Sequence, residues 1–294
     1  MSQTFPYRAA ASVVLAMTLI VLGDAAGKGL LLSGFSPYFV AWARFALAAA
    51  VLLPLSGLTA AELPSLLNWR IVLRAGLIIG GICSILTALQ TVPVANAFGG
   101  FFIGPVIAYF LSAILLKETI SYTRTALLLV SFLGVLLVVK PGFGMSSGMA
   151  FAVLAGCFHG SYLVATRWLA GAYRPRFLLL SQLLVGAVVL APFGLSDVPP
   201  IDMPMAGLIG VSALGSASGN YILVMVNRRM PANQIAPLIY SQLLAATLVG
   251  LIIFSEWPDG YSLLGLLVIF GAGISSLWIA GREGRQSTPP VRPS

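Results

Sequence analysis

Long apolar runs separated by short polar segments recur along the whole chain. Each run is close to the ~20 residues that a helix needs to cross about 30 Å of hydrocarbon. The runs are continuous and rich in Leu, Ala and Gly, which favours helices over the alternating ~10-residue strands of a membrane β-barrel. The pattern predicts an all-α polytopic membrane protein with ten transmembrane helices, at residues 9–32, 36–56, 71–90, 94–116, 120–139, 147–168, 177–195, 204–226, 232–254 and 261–280.

The composition excludes a soluble protein. The 294 residues are 59% hydrophobic and 8% charged, whereas a soluble domain has about 25% charged residues. The segments between the runs are too short to form a soluble domain. Cys83 and Cys157 both lie inside predicted spans, so we expect from them neither a disulfide framework nor a metal site.

The basic residues are distributed unevenly between the two sides of the predicted bundle. Short loops rich in Lys and Arg stay in the cytoplasm, and the opposite connections contain only Lys140. We therefore expect both termini in the cytoplasm, and we interpret the net charge of +8 as a topology signal rather than a nucleic-acid-binding surface. The basic residues on the predicted cytoplasmic side are Arg8, Arg70, Arg74, Lys117, Arg124, Arg167, Arg174, Arg176, Arg228, Arg229, Arg282, Arg285 and Arg292.

The two halves of the chain repeat each other at a spacing of about 137 residues. Ala95-Asn96 and Ala232-Asn233 open the fourth and ninth spans, and Lys117-Glu118 and Ser255-Glu256 close them. Because each half has five spans, the second half is inverted relative to the first. Inverted repeats are a transporter architecture with the substrate site near the midplane. The predicted units are a first five-helix repeat (1–139), a second, inverted one (140–280) and a disordered cytoplasmic tail (281–294).

Several loose motifs occupy these spans. They are Gly23–Gly29, Ala43-Arg44-Phe45, Gly104-Pro105, Lys117-Glu118, Gly134–Val139, Gly148 with Tyr162 and Arg167, Ala232, and Glu256. Together with the ten spans and the repeat, they resemble the drug/metabolite transporter superfamily, EamA type, over nearly the whole chain. One departure is Leu243, which stands where the first half has Pro105.

This resemblance implies a ten-helix inverted-repeat fold in the bacterial inner membrane and export of small metabolites from the cytoplasm. The family includes amino-acid exporters, among them an aromatic amino-acid branch. The expected partners are an amino acid or related metabolite and the lipid bilayer, with no nucleic acid, and the chain is expected to be a monomer or homodimer. A channel, or a membrane scaffold that binds partners without transport, is the alternative.

Inside the predicted spans, where an ionisable side chain needs a compensating partner or a function, the charged residues that the loop assignment leaves unexplained are Asp24, Lys28 and Arg44. Asp24 and Lys28 are four residues apart, on one face of the first helix. They form either a mutually neutralised pair or a polar cavity wall that meets the ammonium and carboxylate of a zwitterion. Arg44 either snorkels outward or pairs with Asp24, or it lines the outer half of the pathway, where its fork matches a carboxylate.

Other polar and aromatic side chains complete the candidate site. His159 is either a hydrogen-bonded packing residue or a substrate contact and proton carrier, and Lys140 is expected to be a snorkelling anchor. Broken helices are tolerated where they line a cavity, so the gating candidates are Gly99, Gly100, Gly104, Pro105 and Pro237. The substrate-binding candidates are Asp24, Lys28, Arg44, Phe98, His159, Tyr162, Gln182, Tyr240 and Gln242.

The sequence does not favour an enzyme. Residues 144–148 match G-x-S-x-G, but the required strand–turn–helix context is absent, and Ser146 or Ser147 is expected to cap the sixth helix. A serine protease would need Ser146 and His159 within about 3 Å, whereas helical geometry separates them by ~20 Å. We expect no cofactor, no metal and no ATP-driven step. The titratable candidates for proton coupling, with uniport as the alternative, are Asp24, His159 and the helix-end residues Glu118 and Glu256.

Overall fold

The computed structural model describes residues 7–117, 122–140, 145–196, 198–227, 239 and 241–286. Within these ranges the chain forms eleven α-helices, a short 3-10 helix at Ala60–Leu67 and no β-strand. In chain order the α-helices are α1 (Tyr7–Leu32), α2 (Pro37–Ser56), α3 (Trp69–Leu89), α4 (Val94–Phe101), α5 (Ile103–Leu116), α6 (Tyr122–Val139), α7 (Ser147–Leu169), α8 (Pro175–Gly194), α9 (Met203–Asn227), α10 (Ser241–Phe254) and α11 (Gly260–Gln286).

The helices follow the predicted apolar runs, with two differences. The fourth run is divided into α4 and α5, and α11 extends to Gln286, into the segment predicted to be a disordered tail. By length and composition, six helical segments of the described chain qualify as membrane spans, and α6, α10 and α11 contribute shorter apolar segments. The all-helical membrane class is therefore as predicted.

Serine side chains define where two of the helices begin. Ser36 Oγ accepts a hydrogen bond from the Phe39 N–H at 3.1 Å at the start of α2. Ser146 Oγ accepts one from the Met149 N–H at 3.2 Å at the start of α7. These bonds satisfy amide groups that have no partner within their own helix. The cap expected at Ser146 or Ser147 is therefore Ser146.

Pro105 explains why the fourth run is two helices rather than one. Proline has no N–H to donate to the carbonyl four residues earlier, so the Phe101 carbonyl loses its helical donor where α4 ends. This carbonyl lies against α7, because a Cβ added to Gly156 would be 2.5 Å from the Phe101 oxygen. Gly156 therefore leaves room in α7 for the Phe101 carbonyl, which has no helical hydrogen-bond donor because of Pro105.

The helices pack in pairs that connect the two halves of the chain. Helix α1 packs on α9 and α3 on α7, while α2 packs on α8 and α6 on α11. Glycines permit close approach in these pairs: a Cβ on Gly265 would lie 2.5 Å from the Gly134 oxygen, and one on Gly219 would lie 2.6 Å from the Ala16 oxygen. The main hydrophobic core lies among α1, α2, α3, α4 and α8 and extends to α6, α7, α10 and α11.

Replacing Gly156 with alanine is expected to destabilise the fold by about 1–3 kcal/mol, because the new methyl group would force α7 away from the Phe101 carbonyl. The measurement is an unfolding titration of the purified protein with sodium dodecyl sulfate. Gly76→Ala is the matched control, since a Cβ at Gly76 meets nothing within 4 Å, and it is expected to be neutral or to stabilise α3 by up to about 1 kcal/mol. Equal stability of the two variants would contradict this account of the helix contact.

Two ion pairs join segments outside the hydrophobic parts of the helices. Arg174, which precedes α8, donates hydrogen bonds to the Glu62 carboxylate and the Gly57 carbonyl. The bond from Arg174 lowers the pKa of Glu62 to about 2. Lys140 donates to Asp259 at 2.7 Å and lowers the pKa of that carboxyl to about 2. Lys140 therefore links the end of α6 to the start of α11, a role that the sequence analysis did not anticipate.

Candidate functional site

A cavity of ≈ 260 Å³ lies between the C-terminal half of α2, the first turns of α8 and the C-terminal half of α9. Its walls are mostly apolar and include Leu179 and Tyr221, together with the exposed Arg176. A smaller cavity of ≈ 40 Å³ adjoins it, because the two share lining residues that include Ala48 and Ala217. This path leads from the C-terminal end of α2 to polar side chains in the middle of the bundle.

Arg44 lines the smaller cavity and is held by α1 and α9. Its Nη1 donates to Asp24 Oδ1 at 2.5 Å, its Nη2 to the Gly23 carbonyl at 2.7 Å and its Nε to Ser212 Oγ at 2.7 Å. Gly27 leaves space for the guanidinium group, since a Cβ there would lie 2.5 Å from Nη2. This buried ion pair joins α1, α2 and α9 beside the cavity.

A second buried ion pair lies nearer the C-terminal end of α1. Lys28 Nζ donates to Glu256 Oε1 and, at 3.1 Å, to the Val92 carbonyl. Glu256 Oε2 accepts the Val94 N–H at 2.8 Å, and the Lys28 ammonium lies 5.0 Å from the centre of the Phe254 ring. These contacts join α1, the turn between α3 and α4, and the segment after α10. They lie at the opposite end of the bundle from the larger cavity, because α2 runs from the end of α1 toward that cavity.

The two pairs decide between the alternatives for the intramembrane charges. Asp24 and Lys28 are not a mutually neutralised pair, because each bonds an oppositely charged residue on another element. Arg44 forms an ion pair with the Asp24 carboxylate, which is one of the roles that the sequence analysis expected for it. Glu256 is the counter-ion of Lys28, a pairing that the sequence analysis did not anticipate when it named Glu256 as a helix-end residue and a candidate for proton coupling.

A third polar network surrounds Arg74 on α3. Its Nε donates to Thr166 Oγ1, its Nη1 to the Leu178 carbonyl and its Nη2 to the Tyr162 hydroxyl, each at 2.8 Å. The Tyr162 hydroxyl in turn donates to Gln182 Oε1 at 2.8 Å. Gln182 and Arg44 both line the smaller cavity, so the Arg74 network and the Asp24–Arg44 pair border the same space.

The Tyr162–Gln182 contact is the second-half counterpart of Asp24–Arg44. Helices α2 and α8 each have 20 residues, begin with proline and contain another proline near the end. In that alignment Gln182 stands at the position of Arg44, and Tyr162 stands at the position of Asp24 by the same sequence offset. The hydrogen bonds join equivalent positions in both halves, but only the first half places charges there.

Some of the other candidates surround this network. The His159 ring packs between Phe101 and Tyr162, with ring centroids 4.9 and 5.9 Å away. Phe98 is buried against Phe101, and Gln242 is buried in α10. Neither of these two lines either of the cavities found in the described part of the chain.

The hinge candidates of the first half lie at or beside the break between α4 and α5. Gly99 packs against Val138 of α6, and Gly100 and Gly104 pack against α7, with Pro105 next to them. Tyr240, Pro237 and Glu118 lie outside the described residues. Among the residues that the structure describes, no group of three or more His, Cys, Asp or Glu side chains is arranged to hold a metal ion.

The sequence analysis did not include Arg74 among the site residues. It assigned Arg74 to a cytoplasmic connection, whereas the structure places it inside α3 with 3% of its surface exposed. The available signal was the third apolar run, predicted at 71–90, which already contains this arginine. Ser212, which binds Arg44, was also missed, because nothing in the sequence distinguishes it from other serines in the spans.

The proteins to which this chain is similar are transporters. The sequence model of the EamA-like transporter family matches the chain twice, over residues 8–140 and 146–277. A solved crystal structure with 19% sequence identity shares the fold, with a TM-score of 0.65 over 93% of this chain and 98% of that chain.

Three curated relatives are similar to parts of the chain. An uncharacterized transporter of Archaeoglobus fulgidus is 28% identical over 31% of this chain, which spans only about a third (33%) of that protein. The pseudopaline exporter CntI of Pseudomonas aeruginosa is 29% identical over 64% of this chain and 67% of that protein. The S-adenosylmethionine uptake transporter of Rickettsia prowazekii is 26% identical over 68% of this chain and 69% of that protein.

Proposed function

We propose that this chain, which belongs to the EamA-like transporter family, exports small metabolites by alternating access, with amino acids, aromatic ones first, as the expected substrates. The observation that carries the proposal is the cavity of ≈ 260 Å³, which leads from one end of the bundle toward the buried Arg44. The Lys28–Glu256 pair joins the helices at the opposite end. A site that is accessible from one side and closed on the other is one end state of such a carrier.

The basic residues around the cavity support export. The cavity lies at the C-terminal end of α2 and the N-terminal end of α8. Three basic residues lie at this end of the bundle: Arg70 in the first turn of α3, Arg174 just before α8 and Arg176 in its first turn. The positive-inside rule assigns this side to the cytoplasm, together with both termini, in a bacterial inner membrane. The substrate would then enter the cavity from the cytoplasm.

The helix pairing supports ten spans in two inverted repeats, 1–139 and 140–280. Exchanging the two halves converts the α1–α9 pair into the α7–α3 pair and leaves the α2–α8 and α6–α11 pairs unchanged. A pseudo-two-fold axis in the membrane plane produces this pattern, and rocking of the halves about the central site exchanges the accessible side. The break between α4 and α5 is the proposed hinge.

The chemistry of the cavity suits an amino acid. Apolar walls would contact the side chain, while Arg44 and Gln182 offer polar groups to the ammonium and carboxylate. The cavity of ≈ 260 Å³ is smaller than the about 300–1,000 Å³ of pockets that hold drug-sized ligands, which favours a small metabolite. Phe98, His159, Tyr240 and Gln242 are proposed to contact the substrate in other states of the cycle.

Purified protein in liposomes is expected to transport at least one labelled amino acid at a rate that saturates with concentration, because each cycle carries substrate through a binding site. The measurement is uptake of a panel of labelled amino acids, with and without a pH gradient and against protein-free liposomes. Acceleration by the gradient would assign proton coupling, and no effect would assign uniport. Flux that rises linearly with concentration would indicate a channel, and no flux for any amino acid would contradict the carrier proposal and leave a scaffold.

A further inference from the structure

Arg74 is a buried cation whose hydrogen-bond partners are all neutral. The side chains of Thr166 and Tyr162 and the Leu178 carbonyl occupy its three nitrogens. No carboxylate of the described chain pairs with it. The other two buried cations among the described side chains, Lys28 and Arg44, each have a carboxylate partner. The described interior therefore contains one positive charge without a carboxylate partner, and its guanidinium carbon lies 4.7 Å from the centre of the Tyr162 ring.

Arg74 lines neither of the two cavities, but residues next to it do. Its acceptor Leu178 precedes Leu179, which lines both cavities, and Ile78, one helical turn along α3, lines the smaller one. A guanidinium group has five N–H donors, and the three hydrogen bonds leave one N–H on each terminal nitrogen. Guanidinium N–H groups bind carboxylates strongly, so the two free N–H groups are available to a carboxylate ligand.

We propose that Arg74, positioned by Tyr162 and Gln182, binds the carboxylate of the transported metabolite. The inference rests on the proposed transport function and specifies its substrate class as small metabolites with a carboxylate group. The ligand would reach Arg74 through the wall formed by Leu179 and Gln182, and its negative charge would balance the guanidinium. Buried charge is costly unless it is paired, so loading the site removes that cost.

The repeat supports this assignment. In the first half, the cation Arg44 finds its carboxylate on Asp24. In the second half, the position equivalent to Asp24 is Tyr162, which donates to Gln182 and accepts from Arg74. Gln182 stands in the position of Arg44, so these second-half positions carry no charge. The cation that contacts Tyr162 is Arg74 of the first half. The two positions therefore supply no anion for Arg74, and in this proposal the substrate carboxylate supplies it.

The test compares binding of an acid with binding of its amide. Calorimetric titrations of the full-length purified protein with the twenty proteinogenic L-amino acids identify the tightest ligand, and the probe is then that amino acid against its α-carboxamide. The acid is expected to bind about 10–100-fold more tightly, as for a hydrogen bond to a charged group. Arg74→Gln is expected to reduce this ratio to near one.

A second variant keeps the test independent of whether Arg74→Gln folds. Tyr162→Asp places a carboxylate at the position equivalent to Asp24. Because the Arg74 guanidinium carbon lies 4.7 Å from the centre of the ring that this change removes, the new carboxylate is expected to pair with Arg74 and also to remove the preference for the acid. Arg70→Gln is the matched control, because Arg70 lies one turn earlier on the same helix, exposed and over the Trp69 and Trp168 rings. Its acid-to-amide ratio is expected to equal that of the unmodified protein.

Any of four results overturns the inference. The first two are that no amino acid binds, or that the acid and its amide bind equally well. The third is that the acid-to-amide ratio is unchanged in Arg74→Gln or Tyr162→Asp, and the fourth is that Arg70→Gln lowers this ratio as much as Arg74→Gln does. Because binding is measured at equilibrium, these results are separate from transport. Acid-selective binding that depends on Arg74, without saturable flux, would contradict the proposed transport alone. Saturable flux with unchanged binding in Arg74→Gln would contradict this inference alone.

Discussion

Asp24→Asn is expected to lower the free energy of unfolding by about 3–5 kcal/mol, because it leaves the buried Arg44 guanidinium without its carboxylate. The loss should appear as earlier unfolding in a titration of the purified protein with sodium dodecyl sulfate. Transport should be abolished in the same variant, since Arg44 also lines the smaller cavity. The change is confined to one oxygen atom replaced by an amide nitrogen, so packing volume is preserved.

Two controls separate charge from shape. Asp202→Asn makes the same chemical change at an exposed acid that caps α9 through the Met205 N–H, and it is expected to cost no more than about 2 kcal/mol. The double variant Asp24→Asn with Arg44→Gln removes both charges and is expected to recover most of the stability lost in the single variant. If Asp24→Asn unfolds no earlier than Asp202→Asn, the buried pair does not have the energetic role assigned to it.

Glu256→Gln is expected to open the end of the bundle that Lys28 closes. Breaking the pair raises the free energy of the closed arrangement by about 3–5 kcal/mol, and a difference of this size moves a two-state equilibrium by more than a hundredfold. Transport should fall at least tenfold, because a carrier that seldom closes this side seldom completes a cycle. The structural readout is the accessibility of Ala95, buried next to Val94, after its replacement by cysteine.

The labelling experiment uses a background without Cys83 and Cys157, which both carry free thiols. A membrane-impermeant maleimide is added to the face opposite the larger cavity. It should label Ala95→Cys at least tenfold faster when Glu256→Gln is also present. Lys28→Ala should give the same increase and abolish transport in a folded protein. Asp259→Asn, which alters an exposed ion pair, is the matched control. Unchanged labelling together with normal transport in Glu256→Gln would rule out this pair as the closure.

The helices were predictable because their signal is local. A run of apolar residues long enough to span the hydrocarbon core, bounded by polar segments, sets both ends of a helix at once, and α2 and α7 begin and end within one residue of the predicted limits. Pro105 likewise predicted an interruption from its own covalent structure. Neither inference needed knowledge of which helices are neighbours.

The contacts of the site were not predictable in the same way, because they depend on helix packing. Because charged residues are rare within the predicted spans, Asp24, Lys28 and Arg44 could be recognised as residues that need partners. The sequence alone did not indicate which residues on other helices those partners are. Glu256 lies far along the chain from Lys28, and only the packing of α1 with α10 brings them together. Arg74 was missed because counting basic residues by connection ignores how deeply each one lies in its helix.

The contacts of Glu256 are expected to make closure of the end of the bundle opposite the larger cavity cooperative. One carboxylate oxygen binds Lys28 and the other binds the Val94 N–H, while Lys28 also holds the Val92 carbonyl. Because the three contacts share Lys28 or Glu256, we expect the three segments to separate together, with little population of a state in which only one contact is broken. The Lys28 side chain is 5% exposed and that of Glu256 is 21% exposed, so dissolved ions screen this pair less than they screen surface charges. The rate of this conformational change is therefore expected to depend only weakly on ionic strength.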